Sequence, residues 1–243
     1  MSEPKALLII PMFNEEKRVN IHDYRTGFKR YHHIDFLLVD DASTDRTHTL
    51  IDHLIKSHKN VFSIKNKTNF GKAESIRLGV LHSRASKYDF IGYMDADLSV
   101  PFSEMVMLLE NASKYKDKLF VMGSRIKLIN NKIIRSKRRH YIGRVFATLI
   151  SQFILKTAVY DTQCGAKIIT SKLTKILFEK PFETKWLFDI ELLLRLQKQN
   201  IDLTTNVLEV PLNIWIEKGD TKIKPHEFLF FPLQIMKLNY KYA

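Results

Sequence analysis

The sequence predicts an α/β fold: a single domain with a Rossmann-like, mainly parallel sheet flanked by helices. Three observations carry this. Strand-like and helix-like patterns alternate through the first 125 residues. Two apolar runs, LLVDDASTD ending at Asp45 and YMDADLSVP ending at Pro101, stop abruptly at acidic residues. The length of 243 residues, 45% hydrophobic and 27% charged, suits one sizeable buried core.

The elements follow in order. Lys5–Met12 reads as a buried strand and Glu15–Tyr31 as a helix. Asp35–Asp40 is a second strand, and Ser43 is placed to cap a helix reaching about Ser57. Val61–Lys65 is the third strand, followed by a helix over Gly71–Ser86. Tyr88–Met94 is the fourth strand, Phe102–Tyr115 a helix, and Lys118–Gly123 the fifth strand. Crossovers between such parallel strands are right-handed.

Beyond Gly123 the rhythm changes. A basic loop leads into a helix from about Arg139 to Lys156. A polar turn over Tyr160–Gly165 precedes a short strand near Lys167–Ile169 and a helix near Lys172–Phe178. Leu187–Gln199 has the period of an amphipathic helix, and Leu203–Ile216 alternates as one strand. The tail, His226–Tyr242, is aromatic and basic, and helical beyond Pro232. No repeat or linker divides the chain.

The formal net charge is +13, which attracts nucleic acid, anionic membrane or a phosphorylated substrate. The charge is uneven: residues 124–144 carry many Lys and Arg and no acid, and run into an apolar helix. A nucleic-acid-binding protein would explain the charge but not the acidic strand ends, so nucleic acid is not an expected partner. The single cysteine, Cys164, excludes an internal disulfide. The first residues do not read as a signal peptide, because Glu3, Asn14, Glu15 and Glu16 interrupt them. No apolar run approaches the roughly 18 residues that span a bilayer.

Three successive strands bring polar and acidic residues to one sheet edge: Pro11, Asn14 and Glu15, then Asp40 and Asp41, then Asp95 and Asp97. Open α/β sheets bind ligands at that edge. Carboxylates there accept hydrogen bonds from a nucleobase, a ribose or metal-bound water. Asp-Ala-Asp suits Mg²⁺ or Mn²⁺ whose shell is completed by water and a diphosphate. Asp40 and Asp41 have an alternative use as helix caps. Gly71 and Lys72 open a helix whose N-terminus can meet phosphate.

IIPMFNEE, VDDASTD, NFGKAESIRLG, MDADLSVP and GSR, in this order, resemble family 2 glycosyltransferases of the GT-A fold. DTQCGAKI (Asp161–Ile168), WLFDIELL (Trp186–Leu193) and Glu209–Lys224 are similar to the dolichyl-phosphate glucosyltransferase branch, which is related to the dolichyl-phosphate mannose synthases. The resemblance covers residues 5–224. It implies that residues 1–125 bind the nucleotide sugar, that 126–224 bind the acceptor, and that 225–243 form an amphipathic tail. Pro11, Asn14, Glu15, Asp40 and Lys72 would line the nucleotide pocket, and Asp95 and Asp97 would hold Mg²⁺ or Mn²⁺. Arg125, with Arg138 or Arg139, would bind the acceptor phosphate. Gln163 and Asp189 would sit by the transferred sugar. Mannose synthases carry Gln where this chain has Ser99, so its metal would lean more on water.

The implied reaction is an inverting transfer of glucose from UDP-glucose to a polyprenyl or dolichyl phosphate, with GDP-mannose the competing donor. The alternative is a soluble transferase with a hydroxyl acceptor, for which Asp189 would be the base; Asp189 also has a plain reading as a helix cap. A helix carrying Phe146, Leu149, Ile150, Phe153 and Ile154, assisted by Phe228, Phe230, Phe231 and Tyr240, would hold the protein peripherally on the cytoplasmic membrane face. The other reading of these stripes is ordinary core or a dimer contact.

Overall fold

The computed structural model describes residues 3–218 and 225–242. The last part of the Glu209–Lys224 segment and the Phe228 side chain lie outside the described residues. The main sheet contains β1 (Ala6–Met12), β2 (Asp35–Asp40), β3 (Val61–Lys65), β4 (Phe90–Met94), β5 (Phe120–Ser124), β7 (Ala166–Thr170) and β8 (Val207–Pro211), in the order β3-β2-β1-β4-β7-β5-β8. A second sheet pairs β6 (Lys132–Ile134) in parallel with β9 (Ile214–Ile216).

β1 is apolar throughout because it is flanked on both sides, by β2 and β4, and covered on both faces. The strand expected near Lys167–Ile169 is β7, which runs antiparallel between β4 and β5. Residues from both sides of position 125 therefore share one sheet. β8 then pairs in parallel with β5.

The helices are α1 (Ile21–Arg30), α2 (Thr47–Ser57), α3 (Lys72–His82), α4 (Phe102–Lys114), α5 (Lys137–Leu149), α6 (Thr174–Phe178), α7 (Phe188–Lys198), α8 (Leu203–Asn206) and α9 (Phe231–Tyr242). They cover both faces of the main sheet. One core contains Tyr24, Phe28, Phe36 and Phe102; the other contains Ile76, Phe178, Phe188 and Leu238.

Several boundaries differ from expectation for local reasons. α1 begins at Ile21, not Glu15, because the backbone before it is tied to the β2–α2 loop. Glu15 N donates to Thr47 Oγ1 at 2.8 Å, and Glu16 N to Asp45 Oδ2 at 3.1 Å. Asn20 is the cap, accepting from His22 N. Ser43 does not cap α2. Its hydroxyl accepts from Asn14 N, and Asp45 Oδ1 receives Thr47 N at 3.0 Å instead. α3 ends at His82.

The segment Leu203–Ile216 is not one strand. Asp202 caps the short α8, and after Pro211 the chain turns into the small sheet, with Asn213 N donating to Glu104 Oε2 at 2.8 Å. The basic segment is not simply a loop, since it holds β6 and the start of α5. α5 continues as π-helix over Ile150–Leu155. The tail helix α9 starts one residue before Pro232.

α7 is not amphipathic in use: every residue from Phe188 to Leu196 is buried. Its charged residues are satisfied internally. Arg195 pairs with Glu191 at 2.8 Å and donates to Leu177 O, Lys180 O and Pro181 O. α9 covers it, and Tyr242 Oη donates to Glu191 at 2.8 Å.

The expected apolar stripe of α5 is divided. Ile150 is core, and Phe146 and Ile154 pack against it. The outward face carries Tyr141, Ile142, Val145, Leu149 and Phe153. Phe146 meets Phe231 at 6.2 Å between ring centres, which brings α5 against the start of α9. Around and along α9, Leu229, Phe230, Leu233, Met236 and Tyr240 are exposed. Among the described residues no helix is long and apolar enough to cross a membrane.

Candidate active site

A cleft of about 1720 Å³ opens at the carboxyl ends of β1 and β4 and extends under α5 and the loop before α7. Pro11, Asn14, Glu15, Lys72, Asp95 and Asp97 line it, as do Arg125, Arg138, Arg139, Gln163 and Asp189. Asp40 does not. It is 3% exposed, its Oδ1 accepts from Ser43 N at 2.9 Å, and its Oδ2 has no hydrogen-bond partner among the described residues. The acid in the wall is its neighbour Asp41, which receives Phe70 N and Gly71 N at 2.9 and 2.7 Å and so fixes the entry to α3. Gly71 has φ +88°, in the left-handed region, so the backbone there favours glycine.

Asp95 and Asp97 follow β4 directly. Lys72 Nζ lies 2.5 Å from Asp95 Oδ1, and Arg18 reaches Asp97 Oδ2 at 2.7 Å. Arg18 also faces Glu15 at 3.5 Å and donates to Lys218 O. Burial opposes the charge on Lys72, but Asp95, Asp189 and Asp97 outweigh it and raise its pKa above the usual lysine value. Asp95 is seated against bare backbone: a Cβ on Gly165 would fall 2.1 Å from its Oδ2. The glycine of DTQCG thus makes room for a carboxylate from another strand.

Among the described residues no group of three or more His, Cys, Asp or Glu could hold a metal ion. Asp95 and Asp97 alone, with Ser99 in the same wall, form a two-carboxylate oxygen site. That set fits Mg²⁺ or Mn²⁺ when a substrate diphosphate supplies further ligands, and does not fit a closed structural metal site.

A basic set lines the same cleft. Arg125 is its partly buried member: Nε and Nη2 grip Asp161 at 2.6 and 2.7 Å, and its backbone N donates to the same carboxylate. The guanidinium also stacks on Trp215 at 5.4 Å. Burial alone would disfavour both charges. The pairing reverses this, so the Arg125 pKa rises and that of Asp161 falls. Arg125 therefore presents far less free charge than the sequence suggested. Arg139 pairs with Glu217. Arg138 is exposed and lines the cleft. Arg135, absent from the sequence-based set, also lines it; burial, with Arg125 and Arg139 nearby, lowers its pKa.

Asp189 is 3% exposed and stands in the first turn of α7 without capping it. Its Oδ1 receives Lys167 Nζ at 2.7 Å and Tyr93 Oη at 2.6 Å. Burial, then the Asp189 charge, raises the Tyr93 pKa well above the usual phenol value. Gln163 lies beside it on the cleft wall, and its Nε2 is buried with no partner among the described residues. Asp41 was visible in the sequence as a strand-end acid, but Arg18, Arg135, Tyr93 and Lys167 were not legible as site residues, because nothing local distinguishes them from other charged or strand residues.

Residues 7–177 match the family model for glycosyl transferase family 2. The chain belongs to that family. It is a glycosyltransferase. The family 2 chain is similar to a dolichyl-phosphate beta-glucosyltransferase of Trichomonas vaginalis, 28% identical over 235 residues, covering 92% of this chain and 67% of the relative. The dolichyl-phosphate beta-glucosyltransferase of Saccharomyces cerevisiae is 28% identical over 239 residues, covering 89% and 68%. That of Homo sapiens is 28% identical over 233 residues, covering 90% and 69%. Among solved structures, glucosyl-3-phosphoglycerate synthase from Mycobacterium tuberculosis in complex with uridine diphosphate superposes with a TM-score of 0.70 at 15% identity, covering 98% of this chain and 80% of that one. Its complex with Mn²⁺, UDP-glucose and phosphoglyceric acid gives 0.71 at 15%, covering 98% and 79%. At this identity the likeness establishes the fold: the family 2 chain is a GT-A glycosyltransferase.

Proposed function

We propose that this glycosyltransferase moves glucose from UDP-glucose to the phosphate of a dolichyl or related polyprenyl phosphate, with inversion at the anomeric carbon. One observation carries the reading: a single cleft brings Asp95 and Asp97 together with Arg125, Arg135, Arg138 and Arg139. The names of the relatives, dolichyl-phosphate beta-glucosyltransferases, support both the sugar and the acceptor. Complexes of the solved neighbour with UDP-glucose and Mn²⁺ support the donor and the ion.

Residues 1–125 form the donor half and 126–224 the acceptor half. Pro11, Asn14 and Glu15 border the nucleotide, while Asp40 supports their loop from behind through Ser43. Asp95 and Asp97 hold Mg²⁺ or Mn²⁺, which when bound neutralises the donor diphosphate as a Lewis acid. Lys72, at the α3 N-terminus, faces the same diphosphate and stabilises its charge as it leaves. Gln163 and Asp189 contact the transferred sugar. Arg138 and Arg139, with the outer edge of Arg125, orient the acceptor phosphate. A phosphomonoester is already ionised near neutral pH, so its oxygen attacks without a strong general base. The phosphate reading suits a wall of arginines better than a hydroxyl acceptor would.

The outward faces of α5 and α9 rest on the membrane surface, with residues 225–243 as the interfacial tail, so that the acceptor's phosphate reaches the cleft while its chain stays in lipid. Calorimetric titration with UDP and with GDP, each with Mn²⁺, tests the donor. UDP is expected to bind more tightly; binding of GDP alone would overturn the donor assignment.

A further inference from the structure

Lys167 is a fully buried charge that the proposed reaction does not use: it is 0% exposed, in the middle of the sheet. An ammonium has three donors, and all three are spent. Nζ donates to Thr162 O at 3.1 Å, to Cys164 O at 2.6 Å and to Asp189 Oδ1 at 2.7 Å. The two carbonyls flank Gln163 on either side. The carboxylate belongs to the first turn of α7. One buried cation therefore ties together the turn that carries Gln163 and the helix that carries Asp189.

Both tied residues line the cleft. Asp189 has one oxygen, Oδ1, occupied by Lys167 and by Tyr93 Oη at 2.6 Å. Gln163 Nε2 is buried with no partner among the described residues. A fixed acceptor and an unused donor, on two elements joined behind the wall, make a pair suited to sugar hydroxyls. A buried charge is costly, and an apolar side chain of similar volume often fills such a place at no loss of stability. The cost is offset only if geometry at the cleft benefits.

We infer that Lys167 is a positioning residue, clamping the Gln163 turn to Asp189 so that the two read hydroxyls of the donor's sugar. This rests on the proposed donor-sugar role of that wall. Tyr93 is the lesser member of the clamp, since it holds Asp189 alone.

The test compares Asp189→Asn with the double variant Lys167→Met/Asp189→Asn. The double variant leaves no buried charge unpaired; Asp189→Asn keeps an amide oxygen for Nζ but removes its counter-charge, so the unfolding midpoints of both variants are measured first and exchange is compared at equal stability. Two readouts are taken on the whole protein. The first is amide hydrogen exchange across residues 162–165, which needs no ligand. It is expected to speed up about tenfold or more in the double variant and to change little in Asp189→Asn. The second is the ratio of UDP-glucose affinity to UDP affinity. It is expected to fall about tenfold or more below that of Asp189→Asn in the double variant, with UDP affinity kept, because only sugar contacts are loosened further. Unchanged exchange in the double variant would overturn the clamp. Faster exchange with the affinity ratio of Asp189→Asn retained would reduce Lys167 to a structural residue and overturn the positioning role. A wild-type protein that binds UDP but no better to UDP-glucose than to UDP overturns the sugar-reading part, while the exchange result still decides the clamp.

Discussion

Arg125 and Arg138 both line the cleft, yet they are opposite kinds of residue. Arg125 is held by Asp161 through two side-chain bonds and is largely buried, so Arg125→Ala strands a carboxylate. It should destabilise the fold by about 3–5 kcal/mol in denaturant titration. Arg138 is exposed, so Arg138→Ala should leave the unfolding midpoint within experimental scatter and raise the acceptor KM. The Asp161 pKa is depressed in the folded state, because Arg125 overcomes the opposing effect of burial. The stability it contributes is therefore present above the unfolded carboxylate value of about 3.9 and is lost as pH falls through the lower folded value. Unfolding midpoints between pH 5 and 8 should not reflect this group; those below about pH 4 should. Asp97→Ala, at the open edge of the sheet, should lower turnover by about 10²-fold or more with the circular dichroism spectrum unchanged. Cys164 is fully buried and its thiol is pushed up to about 12, first by burial and then by Asp161. Iodoacetamide at pH 8 should leave it unmodified in the native protein and alkylate it in urea, as read by mass spectrometry.

At the scale of elements, periodicity made the first five strands and the helices between them legible, because β1, β2, β4 and β5 are buried on both faces and the edge strand β3 is short and bounded by polar residues. Three features were not legible. β7 lies between β4 and β5, and its antiparallel insertion leaves no mark in a strand of five residues. α7 reads as amphipathic because it carries Asp189, Glu191 and Arg195, but Asp189 is matched by Lys167 of β7, and Glu191 and Arg195 pair with each other under bonds from Tyr242 and to Leu177 O, which a linear pattern does not reveal. On α5 the apolar set was visible, but not which half faces the core. Ile150 took the inside, and Val145, Leu149 and Phe153 the outside. That outward face should dock on anionic bilayers beside exposed residues of α9. Val145→Asp with Phe153→Asp should cut co-sedimentation with phosphatidylserine vesicles about tenfold or more, leaving UDP affinity unchanged.

Over the whole molecule, the +13 net charge was visible from composition, and its meaning was not. Two of the basic segment's charges are matched on folding, by Asp161 for Arg125 and Glu217 for Arg139. Of the others, Arg135, Arg138 and Arg144 line the cleft that Asp95 and Asp97 also line. The sequence located the acids correctly except at Asp40, where neighbouring identical residues could be told apart only by which way each points. It placed Arg125 in the cleft without revealing its partner, 36 residues away in sequence. The central claim is transfer from UDP-glucose to a lipid phosphate, and one measurement bears on it most directly. Purified protein is incubated with Mn²⁺, detergent-dispersed polyprenyl phosphate and either radiolabelled UDP-glucose or radiolabelled GDP-mannose, and the organic phase is counted. Label from UDP-glucose should enter the organic phase as a mild-acid-labile β-glucosyl phospholipid, in step with UDP release, and label from GDP-mannose should not. UDP release with no labelled lipid, or preferential labelling from GDP-mannose, would contradict it.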